Sequence, residues 1–289
     1  MKTKIYQYVL SFLILISALP AYSEAPVWKV EKGDHQLFIG GTIHLLTPTD
    51  YPLPPTFEKA YHQSERLIFE TDMQKMNEPV FQLTMMRQLI FIDGRTIKDV
   101  LSEKTYQTLV EYCAQRGIPV DTIKSFKPGM VAMMLTMMEL QRLGVVGTGV
   151  DSFFSSRAIQ DRKGLGQLET LEQQLSFVAS MGAGQEDEMI AYTLRDIKEL
   201  PVTWQTMKTA WRQGDLHKLK EMALTPLKKD FPGVYDAILV VRNNAWMPQI
   251  EAMLKTQEIE FVLVGALHLV GEDGLLAKLS ARGYKIEML

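Results

Sequence analysis

Along the chain the apolar positions change period several times, and each change predicts an element. Trp28 and Val30, then Leu37, Phe38 and Ile39, flank a polar stretch from Glu31 to Asp34, so residues 27–46 read as a hairpin whose second strand runs into Gly40 and Gly41. A proline-rich loop covers residues 47–55, residues 57–63 suit a short helix, and residues 66–70 form an apolar run with a charge at each end, as a buried strand does. From about residue 79 to 225 the apolar positions recur mostly at helical spacing. One short strand, residues 166–169, interrupts this stretch, and Thr170 with Gln173 supplies a capping box for a helix running to residue 180. The tail predicts a helix over 234–256, a strand over 260–264, a helix over 274–282 and a last strand over 284–289. The pattern predicts an α/β (α+β) fold in which a central mixed sheet, drawn from the N- and C-terminal segments, carries a large helical insertion at about 79–225. No Gly, Ser or Pro linker divides residues 24–289, which are expected to form a single domain.

Composition narrows the function classes. Among 289 residues, 31 Lys and Arg face 34 Asp and Glu, a net charge of −3 that leaves no surplus for holding nucleic acid. The single cysteine, Cys113, falls in an apparently helical segment and reads as inert packing. A metal here would therefore need His and carboxylate ligands. Met130, Met133, Met134, Met137 and Met138 share one helical face, which reads as adaptable core or a wall for an apolar peptide rather than a copper site.

Residues 1–23 carry Lys2 and Lys4, a mostly apolar stretch from Tyr8 to Leu19, and Ala21-Tyr22-Ser23, a small-x-small pattern. They predict a signal peptide cleaved near Ser23 and a periplasmic or secreted protein with no stable membrane anchor after cleavage. The apolar stretch is shorter than the roughly 20 residues a bilayer core needs.

Two segments repeat one another: Gly41-Thr42-Ile43-His44 after one apolar strand and Gly265-Ala266-Leu267-His268 after another. With 19 glycines in the chain, a Gly three residues before a given His arises about 7% of the time, so one such motif means little. Two among five histidines, both straight after strands, carry more weight. Glycine allows the chain to turn sharply as it leaves the sheet, which puts each His at a strand's carboxyl end, where open α/β sheets bind ligands. Glu70 ends a third strand in the same way. Two imidazoles and a carboxylate form a usual set for a catalytic divalent ion, with buried, hydrogen-bonded core histidines as the plain alternative. Glu169 is a second acidic candidate, and Asp151, near a helix start after Gly149, reads as a capping residue. The thermolysin-type, serine-hydrolase and phosphate-loop motifs are all absent from the sequence.

Taken with Gly149-Val150-Asp151, Leu168-Glu169-Thr170 and Arg242-Asn243 with Trp246, these motifs resemble the TraB/PrgY/GumN family over nearly the whole mature chain. The resemblance implies a fold shared with the TIKI metalloproteases, which use two Gly-x-x-His motifs and a glutamate. It implies an active site of His44, His268 and Glu70 holding a divalent ion such as Zn, Mn or Co, with Arg242 and Asn243 as polar partners to a peptide or protein substrate. Which of Glu70 and Glu169 ligates and which acts as base stays open. The expected function is an exported metal-dependent hydrolase, a peptidase. The alternatives are a non-catalytic haem- or peptide-binding periplasmic protein and, on family names alone, an accessory role in polysaccharide export or conjugation.

Overall fold

A computed structural model of the protein describes residues 26–289. The expected signal peptide and its cleavage point lie outside the described residues. In chain order the main elements are β1 (Val27–Lys32), β2 (His35–Thr42), β3 (Leu45–Leu46), α1 (Pro55–Gln63), β4 (Arg66–Phe69), α2 (Pro79–Leu89), α3 (Glu103–Gln115), α4 (Pro128–Arg142), β5 (Gly147–Thr148), α5 (Val150–Gln160), β6 (Gly164–Gln167), α6 (Leu171–Ser180), α7 (Glu186–Arg212), α8 (Val241–Met253), β7 (Glu260–Gly265), α9 (Leu275–Ala281) and β8 (Lys285–Met288). The predicted mixed sheet and helical insertion are present. Among the described residues no helix is long and apolar enough to cross a membrane.

The sheet has the order β6-β4-β7-β2-β1-β8. Its hairpin pairs Val27 with Gly40 through Lys32 with His35, and Gly33 takes a positive φ of 62° at the turn. Strand β7, all apolar after Glu260, sits between β2 and β4 and runs parallel to both, as a strand covered on both faces should. Side chains alternate accordingly. Phe38, Leu67, Phe69, Phe261 and Leu263 pack with Phe57, Phe154 and Trp211 on one face. Leu37, Ile39, Ile68, Val262 and Val264 pack with Trp246, Ile250 and Leu279 on the other.

Three boundaries differ from the sequence reading. The strand expected at 166–169 lies at Gly164–Gln167, because it pairs in parallel with β4 from Arg66 opposite Gly164 to Phe69 opposite Gln167. Leu168 and Glu169 then follow the strand, both donating their N–H to the Glu70 carbonyl. The helical layer also runs past residue 225: a π-helical turn at Asp236–Val240 leads directly into α8, which is shorter than the helix expected over 234–256. A second π-helical turn spans Lys220–Leu224. Such turns hold one residue more than an α-helical turn and are frequent where a wall is shaped for function.

The Gly-x-x-His loop after β2 is clamped by its neighbours. Strand β3 pairs with β5, the Val150 N–H donates to the Ile43 carbonyl at 3.0 Å, and Trp211 Nε1 donates to the Gly41 carbonyl at 2.7 Å. Gly149 fits against this loop so closely that a Cβ there would lie 2.2 Å from the His44 carbonyl oxygen. Because that obstacle is backbone, Gly149→Ala should push β5 from β3 and destabilise the protein by about 1–3 kcal/mol, read as a lower urea midpoint. An unchanged midpoint would show that the loop yields freely.

Candidate functional site

The carboxyl ends of β4, β7 and β2, joined by α8, bring the predicted residues to one edge of the sheet. At its centre is Arg242, in the first turn of α8 and buried. Its Nε donates to Glu169 Oε1 and Oε2 at 3.1 and 3.0 Å, and its Nη2 donates to Glu169 Oε1 at 2.7 Å and Glu70 Oε2 at 2.5 Å. Nη1 donates to the Ile238 carbonyl at 3.2 Å and to His268 Nε2 at 3.0 Å. The guanidinium lies over the Trp246 ring, 4.7 Å from its centroid, while the indole N–H donates to Glu169 Oε2 at 3.2 Å. Glu70 is further held by the Gly265 N–H at 2.7 Å and Gln174 Nε2 at 3.3 Å. Burying two carboxylates is tolerable only because one planar fork serves both.

Hydrogen-bond logic fixes the protonation of His268. Arginine can only donate, so Nε2 is an acceptor and the ring is neutral. Its Nδ1–H then donates to Asn243 Oδ1 at 2.7 Å. The Asn243 amide is oriented in turn, since Nδ2 donates to the carbonyls of His268 and Asp273 at 3.1 and 2.9 Å. Burial and the neighbouring Arg242 charge bring the His268 pKa down to about 4 against the pull of Glu70, in agreement with a neutral ring. Burial raises the Glu70 carboxyl, but surrounding positive charge and the Gly265 N–H outweigh it and lower it. With His268 neutral, Arg242 is the principal charge responsible. Glu169 stays raised by burial, which its bonds to Arg242 do not overcome, and Glu70 adds to the effect.

His44 stands apart from this network. Its Nδ1 is 2.8 Å from Oδ2 of Asp151, which is buried in the first turn of α5. Gly149 is the capping position of that helix, so the reading of Asp151 as its cap is corrected: the carboxylate orients a histidine. The Asp151 charge raises the His44 pKa to about 9, against desolvation. The side chain is 70% exposed, so water screens part of that attraction, and the upward direction is what the geometry supports.

Thr42, His44, Glu70, Arg242 and His268 all line one cavity of about 380 Å³. Its other walls are apolar, from Met137 and Leu140 of α4, Trp204, Met207 and Trp211 of α7, and Leu219, Leu224, Leu227, Ile238 and Leu239 of the π-turn region. Glu169 and Asn243 are not among the lining residues. They hold Arg242 and His268, respectively, from behind.

The ligand set expected of His44, His268 and Glu70 is not assembled in this arrangement. The free lone pair of His268 and one Glu70 oxygen already face the guanidinium, whereas the bond of His44 to Asp151 engages Nδ1 alone. Among the described residues no group of three His, Cys, Asp or Glu is disposed to hold a metal ion. In this arrangement an ion at His268 and Glu70 would have to displace their contacts with Arg242.

The sequence model of the TraB/PrgY/gumN family matches residues 26–288, the whole span that carries this site. The chain belongs to the TraB/PrgY/gumN family. No curated protein and no solved structure matches it. Sequence reasoning missed Thr42 and read Asp151 as a cap, and the role of Asp151 shows only once the structure places it against His44.

The buried neutral His268 makes stability depend on pH. Its folded pKa, about 4, lies below the unfolded value near 6.5, so the contribution is complete above pH 6.5 and is lost as pH falls towards 4. Between pH 6.5 and 5 urea denaturation should show a loss of roughly 2 kcal/mol from this group. In His268→Gln the slope over that window should be flatter by about one proton, and equal slopes would rule out a neutral buried imidazole.

Proposed function

We propose that this protein is an exported hydrolase of acyl compounds, amides and esters alike, in which His44 is the general base. The observation that carries this reading is the His44–Asp151 bond at 2.8 Å, which occupies Nδ1 and leaves Nε2 free on an accessible ring lining the cavity. An imidazole oriented by a buried carboxylate is a recurring proton-transfer device. Water placed at Nε2 gives up a proton to it while its oxygen bonds to the substrate carbonyl carbon. The C–N bond then breaks as that proton passes to the departing nitrogen, giving a carboxylic acid and an amine. Arg242 lines the same cavity, and because its N–H groups are all taken by Glu169, Glu70, Ile238 and His268, it acts on the charge that develops on the carbonyl oxygen through space and not by a hydrogen bond. Glu70, Glu169 and Asn243 act through Arg242 and His268.

A divalent ion, such as Zn, Mn or Co, is the second reading, favoured because His44, His268 and Glu70 do line one cavity. It requires Arg242 to release His268 and Glu70. Dialysis against a chelator separates the two. Turnover that survives metal removal fits the dyad alone, and turnover lost and then restored by one added metal fits the ion. Peptide or haem bound tightly without any turnover would favour the non-catalytic alternative.

His44→Ala should lower kcat/KM on a cleaved substrate by about 10²–10⁴-fold. A base must be neutral, so kcat/KM should rise with pH along a limb centred above 6.5, in the direction that Asp151 pushes His44. In Asp151→Asn the limb should move to lower pH and the plateau should fall. Full activity in both variants would remove the dyad from the mechanism.

A further inference from the structure

The cavity has a polar end and an apolar body. Its titratable groups all come from the sheet edge and Arg242, whereas α4, α7 and the two π-helical turns contribute Met, Leu, Ile and Trp side chains. At the polar end the Thr42 hydroxyl is buried and has no hydrogen-bond partner among the described residues, although Thr42 is only two positions from His44. That oxygen is closed off even from water, so it is a cost of the fold and not a contact for a ligand. Trp204, another lining residue, has an indole N–H in the same condition.

These features restrict what can enter. A peptide segment carries an N–H and a C=O at every residue, each needing a partner once out of water. The apolar walls offer little beyond the Trp204 N–H, so a run of peptide backbone inside them would be left unsatisfied. A hydrocarbon chain makes no such demand. A cavity of about 150 Å³ is enough for a benzene-sized group. At about 380 Å³ this one has room for considerably more than a single ring.

We propose that the cavity receives the hydrocarbon chain of an amphipathic acyl compound, whose carbonyl group then lies beside His44 at the polar end. The substrate class is then a linear acyl chain joined through an ester or amide, whose leaving group stays at the mouth. This rests on the hydrolase reading for the chemistry, but the binding part stands on the cavity alone.

The test uses p-nitrophenyl esters from acetate to dodecanoate, kept below micelle-forming concentration. A separate measurement follows binding of a fluorescent fatty acid to His44→Ala. Each methylene buried should raise kcat/KM about three- to fourfold until the cavity is full. Met137→Trp, which narrows the cavity at a partly exposed position, should cut the dodecanoate-to-acetate ratio. Thermal melts show whether each variant is folded. The fatty acid should bind His44→Ala and be displaced by dodecanoate far better than by acetate. That binding without turnover of any ester would refute the hydrolase reading and leave the hydrocarbon site standing. Turnover that ignores chain length, together with no fatty-acid binding, would overturn the proposal.

Discussion

The site is organised by one guanidinium shared between two buried carboxylates. Arg242 reaches Glu169 through two nitrogens and Glu70 through one, so the residues closing two neighbouring parallel strands are tied to α8 on the face above them. Separating two such carboxylates from water costs several kcal/mol each, and only a fixed, well-directed cation offsets it. A lysine could not replace this arrangement, since a point charge cannot meet three acceptors in one plane. Because Arg242 also donates to His268, the same side chain that neutralises the acids fixes an imidazole as neutral.

The two histidines from similar motifs therefore end in opposite states. His44 meets a carboxylate at the cavity wall and is driven towards its charged form, whereas His268 is enclosed beside Arg242 and held neutral. Pairs of like groups whose surroundings pull their pKa values apart are how one site divides proton-transfer work from structural work. Asn243 belongs to the structural side, with its amide oxygen and both contacts of its nitrogen already engaged.

Much of the fold was legible because β strands buried on both faces and capped amphipathic helices leave local signatures. The apolar run before Gly265, the turn at Gly33 and the Thr170–Gln173 box all mark elements found in the structure. The strand near residue 166 was displaced by two residues because its position depends on pairing with β4, a contact between residues about a hundred apart in the chain. At the site, Glu70, Glu169, Arg242, Asn243 and His268 could be anticipated, as polar residues at strand ends or in recognisable motifs. What could not be anticipated was the partnering. No spacing rule tells that Arg242 bonds to His268 and Glu70 together, or that Asp151 faces a histidine 107 positions earlier instead of capping its helix. The orphaned Thr42 hydroxyl was invisible for the same reason, since lacking a partner is a property of the surroundings.

Strand β7 has a further consequence through its place between β2 and β4. Both earlier strands are finished within the first quarter of the chain, yet each lacks its neighbour until residues 260–265 have been made. The bond from Gly265 to Glu70 spans 195 residues, and the one from Arg242 to Glu70 spans 172. Nascent chains missing only their last strands would leave the facing edges of β2 and β4 open and Glu70 without the bond from the Gly265 N–H. The polar centre is thus a late event in the life of each molecule, closed by the C-terminal segment after nearly all of the helical layer has been synthesised.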